Sequence, residues 1–185
     1  MIYNIAVFLC KILFKIFYRV DVVNKSNLEK NKGYMICSNH LHLFDPILIA
    51  CNVNRPMRFM GKQELFSKKF NNWFLRKLGG FPVDREGADI TAIKTAVNIL
   101  KNNEVLCIFP EGTRSKTGEL GEFKSGAGMI AIKGNATIIP VRIDGNYRLF
   151  SKMKITFGEE ISELGKDRAL LMEKVKDSIE HKKQS

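Results

Sequence analysis

A histidine and an aspartate five residues apart form the first pair in this chain that could perform chemistry. His40 and Asp45 lie in the stretch Ser-Asn-His-Leu-His-Leu-Phe-Asp-Pro (residues 38–46), between a predicted strand and an apolar predicted helix. A loop can bring the carboxylate to one ring nitrogen, which leaves the other nitrogen to take a proton from a hydroxyl group. Asp45 could instead cap the helix, with Pro46 at its first position. The spacing alone leaves both interpretations open.

A second stretch, Phe-Pro-Glu-Gly-Thr-Arg-Ser (residues 109–115), has the residue types that bind phosphate. It also follows an apolar predicted strand. Thr113 offers a hydroxyl group, and the guanidinium group of Arg114 presents a fork of donors that suits phosphate oxygens. Lys62 and Arg85 follow other strand-like runs and could converge on the same anion. An ordinary turn with a solvated arginine remains the alternative for this stretch.

The sequence favours neither covalent nor metal-dependent chemistry. No serine stands in a Gly-x-Ser-x-Gly arrangement and no cysteine neighbours a histidine, so direct attack by a substrate hydroxyl is favoured over an acyl-enzyme. The three histidines and four cysteines lack the spacing of a metal site, and no metal is expected. Cys37, Cys51 and Cys107 lie in apolar runs, which predicts buried, reduced thiols.

The net charge of +11, from 30 Lys and Arg against 19 Asp and Glu, favours an anionic partner. Nucleic acid, anionic lipid, a phosphorylated substrate and an acidic protein all qualify. A nucleic-acid-binding or non-enzymatic lipid-binding module would cluster its basic residues on a helix or among stacking aromatic side chains. Here the cations are scattered, and the aromatic residues concentrate in the N-terminal segment and the apolar runs. Nucleic acid is therefore not expected as a partner.

The N-terminal segment predicts a helix that lies in a membrane interface. Four polar residues interrupt its apolar run, and they are Asn4, Lys11, Lys15 and Arg19. At about 100° per residue they fall within roughly 80° of one another on a helical wheel, a pattern typical of an interfacial helix. A spanning helix would place Lys11 in mid-bilayer, and the segment lacks the features of a secretory signal. We predict an interfacial helix over residues 1–22, with packing on the domain's own core and a membrane-spanning helix as the remaining alternatives.

The rest of the chain alternates β-like runs with helical stretches, which is typical of an α/β domain. The predicted strands are residues 34–37, 57–60, 80–83, 105–109, 137–143 and 154–157. The predicted helices are residues 46–51, 68–77, 88–101, 126–133 and 167–181. Neither an internal repeat nor a long linker divides them. We predict one α/β domain over residues 23–185.

Five short blocks follow one another in this part of the chain. They are Asn-His with Asp five residues after the histidine (39–45), Lys-x-Glu-Leu (62–65), Gly-Gly-Phe-Pro-Val-Asp-Arg (79–85), Phe-Pro-Glu-Gly-Thr-Arg-Ser (109–115) and Ile-Ile-Pro-Val (138–141). In kind and order they resemble the blocks of the glycerolipid acyltransferases, the family typified by 1-acylglycerol-3-phosphate acyltransferase. One departure is the run Leu-His-Leu-Phe after His40, where many members carry a serine.

The resemblance implies a mixed β-sheet flanked by helices, with an N-terminal helical element on the membrane. It implies a His-Asp dyad without a covalent intermediate, in which His40 rather than His42 pairs with Asp45 and deprotonates the acceptor hydroxyl. The implied binding residues are Lys62, Arg85 and Arg114 for the acceptor's phosphate, Glu111, Gly112 and Thr113 for shaping the acceptor site, and Pro140 for the acyl-binding wall.

The implied reaction moves a fatty acyl group from acyl-CoA or acyl-carrier protein to the sn-2 hydroxyl of lysophosphatidate, giving phosphatidate with no further cofactor. We expect a peripheral or monotopic protein on the cytoplasmic face of the cell membrane. Alternative acceptors are glycerol 3-phosphate, another lysophospholipid or a lyso-aminolipid, although three candidate cations favour a phosphomonoester. A lipid hydrolase and a non-enzymatic anionic-lipid-binding module are the alternatives from other classes.

Overall fold

A seven-stranded β-sheet runs through the computed structural model, which describes residues 2–84 and 89–181. The strands are β1 (Arg19–Val23), β2 (Tyr34–Ser38), β3 (Met57–Lys62), β4 (Gly80–Val83), β5 (Val105–Ile108), β6 (Thr137–Gly145) and β7 (Lys152–Phe157). The helices are α1 (Ile2–Phe17), α2 (Asp45–Asn52), α3 (Lys69–Lys77), α4 (Ile90–Lys101), α5 (Ser125–Gly134) and α6 (Arg168–His181), with a short 3₁₀ helix at Gln63–Phe66. The predicted strands and helices after residue 33 are present, and their ends differ from the predictions by at most two residues wherever the structure describes them.

The order of the strands in the sheet is β1-β7-β6-β2-β5-β3-β4. Five neighbouring strands, from β6 to β4 in this order, run parallel, while β7 is antiparallel to β6 and pairs in parallel with β1. The predicted mixed sheet flanked by helices is thereby confirmed. Because the five parallel strands end at the same edge, the loops that follow them meet there, which is where α/β folds place their sites.

Helices cover both faces of the sheet, and each face has its own hydrophobic core. Successive strand residues point to opposite faces, so Met35 and Cys37 of β2 pack on the side of α4, α5 and α6. Tyr34 and Ile36 pack on the side of α1 and α2. All four side chains are fully buried. Because both faces are covered, the central strands are nearly continuous apolar runs rather than alternating ones.

The N-terminal helix is shorter than predicted. α1 ends at Phe17, and residues 19–23 form the edge strand β1, which pairs with β7. The predicted extension of the helix to residue 22 is therefore wrong. Arg19 and Asp21 alternate with valines, which is the period of a strand, and hydrogen bonding to β7 stabilises that conformation over a helical one. Arg19 consequently does not belong to the polar stripe of the helix.

α1 packs on the domain with one face and exposes a wide apolar surface on the other. Phe14 is buried in the core, and the hydroxyl of Tyr3 accepts a hydrogen bond of 2.9 Å from the backbone N–H of Met57. The exposed large apolar side chains of the helix are Ile5, Phe8, Leu9, Ile12, Leu13, Ile16 and Phe17. Within residues 2–84 and 89–181, no helix has the length and apolar character needed to cross a membrane. Core packing therefore accounts for one face of α1 and leaves the other without an intramolecular role.

Candidate active site

His40 and Asp45 form a hydrogen-bonded pair in the loop between β2 and α2. The Nδ1 atom of His40 lies 2.8 Å from Oδ2 of Asp45, and both residues are buried. The same oxygen accepts hydrogen bonds of 2.6 Å from the backbone N–H groups of Leu41 and His42. The Asp45 carboxylate thus turns back into the loop that precedes α2, and the N-cap position of this helix belongs to Phe44. The structure favours the dyad over the helix-cap interpretation.

Tyr147, in the loop after β6, holds the second oxygen of the Asp45 carboxylate. Its hydroxyl donates a hydrogen bond of 2.7 Å to Oδ1 of Asp45. Burial raises the pKa of Tyr147 above its ordinary value, and the negative charge of Asp45 and this hydrogen bond raise it further. Tyr147 therefore keeps its proton and remains a donor. Four donors surround a carboxylate that has no solvent exposure, which offsets the cost of burying its charge.

The second histidine of the loop takes a different position. The ring of His42 stacks on the ring of Tyr147, with centroids 4.5 Å apart and an angle of 24° between the planes. Its Nδ1 atom accepts a hydrogen bond from the backbone N–H of Phe44. His42 therefore lies beside the residues that hold Asp45, while the imidazole that meets the carboxylate is that of His40.

Residues 109–115 wrap around His40. The His40 ring stacks on Phe109, with centroids 4.1 Å apart and an interplanar angle of 21°. Its backbone N–H donates to Oε1 of Glu111 at 2.9 Å, and its carbonyl accepts from the backbone N–H of Ser115 at 2.7 Å. The other oxygen of Glu111 accepts a hydrogen bond from the backbone N–H of Gly121. Glu111, buried like His40, thereby ties the His40 backbone to the loop after β5.

Asn39 fixes the start of the loop that carries His40. Its side-chain amide donates to the carbonyl of Ile143 at 2.8 Å, and its Oδ1 accepts from the backbone N–H of the same residue at 2.8 Å. The last residue of β2 that pairs with β6 is Ser38. The buried amide of Asn39 therefore extends the β2–β6 pairing beyond the end of β2, which sets the direction in which the chain enters the loop.

The predicted phosphate-binding residues are less closely held. Arg114 is exposed and precedes Ser115, whose backbone contacts His40, so it lies on the loop that surrounds the dyad. Lys62 ends β3, which β5 separates from β2, and its ammonium group lies 2.6 Å from a carboxylate oxygen of Glu64. Arg85 lies outside the residues that the structure describes. The structure thus places Arg114 on the loop that contacts His40 and leaves Lys62 two strands away along the same edge.

The remaining predicted residues divide between the loop and the sheet. Gly112 has φ +73°, in the left-handed region, and a Cβ atom there would lie 3.0 Å from Nζ of Lys124, which crosses this turn. Thr113 follows it and is exposed. Pro140 is buried in the body of β6, level with Cys37 of β2, so it lies within the sheet rather than in the loop with His40.

A groove beside the loop was not predicted from the sequence. It has a volume of about 1070 Å³ and runs from Glu111 and Thr113 along residues 117–125 to α6. Its lining mixes apolar side chains such as Phe123 and Met172 with four glutamates and two lysines. Among the residues that the structure describes, no group of three or more His, Cys, Asp or Glu side chains is placed to hold a metal ion.

Tyr147 was the main functional residue that the sequence reasoning missed. It lies two residues beyond the end of β6, more than 100 positions from Asp45, and no spacing rule connects the two. A signal was nonetheless available, because a tyrosine that follows a buried parallel strand belongs to the same edge of the sheet as His40. Phe109 and Asn39 lay within the quoted blocks, but their contacts with His40 and β6 were not predicted.

A family model described as Acyltransferase matches residues 19–144 of the chain. Among curated proteins, the 1-acyl-sn-glycerol-3-phosphate acyltransferase of Bacillus subtilis is 38% identical over 148 residues, which cover 77% of this chain and 73% of that protein. The protein of the same name from Streptococcus pneumoniae is 33% identical over 120 residues, covering 63% of this chain but only 44% of the relative.

A solved structure is similar over nearly the whole chain. It is the crystal structure of the 1-acyl-sn-glycerophosphate acyltransferase PlsC from Thermotoga maritima, with a TM-score of 0.76 and 27% sequence identity. The match covers 99% of this chain and 82% of that protein. The family model spans the strand that precedes the dyad, the dyad itself and the loop of residues 109–115.

Proposed function

Because this chain belongs to the acyltransferase family and is an acyl-group transferase, we propose that it moves a fatty acyl group to the sn-2 hydroxyl of lysophosphatidate, giving phosphatidate. The donor in this proposal is acyl-CoA or acyl-carrier protein. The observation that carries the proposal is the hydrogen bond between His40 and the buried Asp45, which lies beside a loop that bears Arg114. The names of the relatives, which specify 1-acyl-sn-glycerol-3-phosphate, support the choice of acceptor.

In the proposed reaction His40 is the general base. Its Nδ1–H donates to Asp45, so the neutral ring has Nε2 available to accept a proton. As Nε2 takes the proton of the acceptor hydroxyl, the hydroxyl oxygen bonds to the thioester carbonyl carbon. The C–S bond of the tetrahedral intermediate then breaks, and the imidazolium returns the proton to the leaving sulfur. Asp45 stabilises the transient positive charge of the ring without taking the proton itself.

The acceptor's phosphate is proposed to bind to three basic residues. Arg114 is the principal ligand, because its loop contacts His40 at Glu111 and Ser115. Lys62 and Arg85 follow neighbouring parallel strands in the sequence and complete the proposed set. A guanidinium group binds phosphate oxygens through paired hydrogen bonds, which would also orient the glycerol hydroxyl toward His40.

The donor is proposed to reach the dyad through the groove beside Glu111. A volume of about 1070 Å³ is at the upper end of the range for ligand pockets. Phe123 and Met172 offer apolar contact to an acyl chain, so the groove is proposed to take the acyl part of the donor. Glutamates outnumber lysines in its lining, so the phosphates of the donor are proposed to bind outside it. We further propose that Pro140 contributes to the wall of the acyl site, as the family resemblance implies.

The protein is proposed to work as a peripheral protein on the cytoplasmic face of the membrane, with α1 in the interface. The exposed apolar side chains of α1 support this, because each large side chain buried in lipid contributes roughly 1.5–3 kcal/mol. Lys11 and Lys15 are exposed at the flank of this face, where they can meet lipid phosphates. Lysophosphatidate is itself a membrane lipid, so an enzyme bound at the interface can encounter its acceptor by lateral diffusion in the membrane.

The first experiment is an acyl-transfer assay on purified protein with lysophosphatidate in vesicles. Acyl-CoA and acyl-carrier protein donors run in parallel, and the His40→Ala variant is the control. Phosphatidate made by the wild type and lost in the variant would support the reaction and identify the donor. Product formed only with glycerol 3-phosphate or another lysophospholipid would reject lysophosphatidate as the acceptor while keeping the reaction type.

Anchoring is tested by vesicle sedimentation with point variants rather than with a deletion. Removing residues 1–20 would also uncover the core that Phe14 fills and would shorten β1. Phe8 is 62% exposed, so Phe8→Glu changes the outer face of α1 and leaves its packing intact. We expect this variant to sediment much less with anionic vesicles than the wild type. Equal sedimentation would reject α1 as the anchor.

A further inference from the structure

Helix α3 presents an aromatic surface that the proposed reaction does not use. None of its nine residues, Lys69–Lys77, is buried. Phe70, Trp73 and Phe74 are 71%, 50% and 39% exposed, and their i, i+3, i+4 spacing puts them on one face. The Phe70 ring lies 6.1 Å from the rings of both Trp73 and Phe74. Burial of large aromatic rings in an apolar phase is favourable, and these three rings are instead exposed to water.

Basic residues surround this aromatic face. Lys68, Lys69, Arg76 and Lys77 are all exposed, and residues 68–77 contain no Asp or Glu. Arg76 bonds through Nε to the side chain of Asn72 at 2.7 Å, which holds its guanidinium group against the helix. The segment therefore carries four positive charges around three aromatic rings, a composition that is complementary to an anionic surface with an apolar interior.

α3 lies on the same face of the sheet as α1. Phe59 of β3 packs in the core beneath α1 and α2, and its register partner on β4 is Gly80. Paired residues point to the same face, and a Cβ atom at Gly80 would lie 3.0 Å from the carbonyl oxygen of Leu75 in α3. The helices of the other face are α4, α5 and α6. The exposed faces of α1 and α3 therefore both point away from the same side of the molecule.

We propose that α3 is a second membrane contact, which binds an anionic lipid surface beside α1. Phe70, Trp73 and Phe74 lie among the headgroups and upper acyl chains, and the basic residues bind lipid phosphates. The proposal rests on the proposed interfacial role of α1 and extends it. Two separated contacts fix the tilt of the domain relative to the membrane, whereas a single helix would leave that tilt variable. A fixed tilt keeps the carboxyl edge of the sheet at a constant distance from the acceptor lipid.

A lipid surface fits this helix better than a protein partner does. The cores of protein interfaces are depleted of lysine, whereas interfacial helices combine Lys and Arg with Trp and Phe. Tryptophan in particular favours the level of the lipid headgroups, where its ring is in an apolar phase and its N–H is hydrated. An acidic protein would match the charges of α3 but would have to bury several lysines with the rings.

Trp73 is the only tryptophan of the chain, so its fluorescence reports on α3 alone. The experiment adds vesicles of phosphatidylglycerol and phosphatidylcholine in equal parts, or of phosphatidylcholine alone, to the full-length protein. We expect a blue shift of the Trp73 emission with the anionic vesicles, and quenching by lipids brominated near the headgroup. Emission that neither shifts nor is quenched while the protein sediments with vesicles would overturn the proposal.

Two pairs of variants separate lipid contact from general effects. Lys69→Gln with Lys77→Gln should weaken binding to anionic vesicles roughly 30-fold, at about fivefold for each basic residue near the surface. The matched control, Lys94→Gln with Lys101→Gln on α4, removes the same charge from the other face. Phe70→Ser should weaken binding at least tenfold, whereas Leu170→Ser, at a side chain 65% exposed on α6, should not. Equal losses in the control variants would overturn the proposal.

Other outcomes identify other occupants. A blue shift that grows with protein concentration in the absence of vesicles would assign the α3 face to a second copy of the chain. A shift with acyl-carrier protein but not with vesicles would assign it to the donor, and either result would overturn the proposal. Acyl transfer to lysophosphatidate in detergent micelles is measured in parallel, so a failure of α3 is distinguishable from a failure of the proposed reaction. The Phe8→Glu variant separately reports on α1.

Discussion

His40 and Asp45 are buried and fixed by hydrogen bonds, whereas Arg114 and Lys62 are exposed at the same edge of the sheet. The carboxylate of Asp45 has four donors, and the His40 backbone is held through both its N–H and its carbonyl. Arg114 is held through the backbone of its loop, and the side chain of Lys62 is 53% exposed. One half of the candidate site is thus fixed by hydrogen bonds inside the protein, and the other half has side chains exposed to solvent.

In the proposed reaction, the difference corresponds to two tasks, proton transfer and phosphate binding. Proton transfer needs a base within hydrogen-bond reach and in one tautomer, so its geometry must be built into the fold. Phosphate binding needs positive charge that a ligand in water or in the membrane can reach. Long exposed side chains supply this charge, although they lose conformational entropy when the ligand binds. We therefore expect substitutions in the buried half to lower kcat and substitutions in the exposed half to raise the KM for the acceptor.

The largest expected effect is that of His40→Ala. Removal of the base should lower kcat by roughly 10²–10⁴-fold, the usual contribution of general-base catalysis. His40 belongs to a loop outside the strands and helices of the core, so the variant should remain folded by circular dichroism. Single-turnover measurements with saturating acceptor isolate this step.

His42→Ala is the matched control, because His42 is the other histidine of the same loop. It stacks on Tyr147 and does not meet the Asp45 carboxylate through its ring, so we expect a much smaller loss than for His40→Ala. A larger loss for His42→Ala, or near-wild-type turnover of His40→Ala, would reject the assignment of the base.

The next effect is that of Arg114→Ala in the exposed half. Loss of one charge-assisted hydrogen bond to phosphate costs about 1.5–3 kcal/mol, or roughly 10- to 150-fold in kcat/KM. The loss should appear in the KM for lysophosphatidate, with kcat nearly unchanged. Lys101→Ala is the control, because it removes an exposed positive charge at the opposite edge of the sheet. A fall in kcat at constant KM would mean that Arg114 acts in the chemical step, as His40 does, and would contradict the division of the site into two halves.

The sequence was sufficient for the pattern of elements after residue 33 and for the residues of the dyad. The apolar runs predicted the central strands closely, because strands buried on both faces leave little ambiguity once Gly, Pro and Asn mark their ends. The five blocks identified the family and with it the pairing of His40 and Asp45. Spacing by itself left the helix cap open, and the hydrogen bonds of Asp45 to Leu41 and His42 decided between the two.

Long-range contacts were beyond the sequence. Residues 19–23 follow the apolar run of α1 directly, and their strand conformation depends on pairing with β7 some 130 residues later. Tyr147 and Asn39 act through contacts across more than 100 residues, which no local period encodes. The sequence also did not show that α1 has two different faces. A helix that packs on a core with one face and exposes apolar side chains on the other has an apolar sequence nearly all round.

A smaller effect is expected for Tyr147→Phe, which tests how far the buried half extends. The variant keeps the ring that stacks on His42 and removes only the donor to Oδ1 of Asp45, which retains its three other donors. We expect kcat to fall roughly fivefold to tenfold, the worth of about one hydrogen bond, with the KM for the acceptor unchanged. If the KM rises instead, Tyr147 belongs to the acceptor site rather than to the positioning of Asp45.

The smallest effect concerns the stability of the protein at alkaline pH, where buried groups that keep their protons should lower the free energy of unfolding. Burial raises the pKa of Tyr147 above its ordinary value of 10.0, and that of Cys37 and Cys51 from 9.0 to about 12 and about 11. Above their ordinary values the unfolded chain loses these protons while the folded protein keeps them, so stability falls as pH rises. The loss in the free energy of unfolding is about 1.4 kcal/mol per pH unit for each group, between its unfolded and its folded pKa.

The free energy of urea unfolding should therefore decline less from about pH 8 to about pH 11 for Tyr147→Phe than for the wild type. The difference should be roughly the contribution of one titrating group. An equal decline would mean that the folded protein releases the Tyr147 proton as readily as the unfolded chain, and that the phenol is not held as a permanent donor to Asp45.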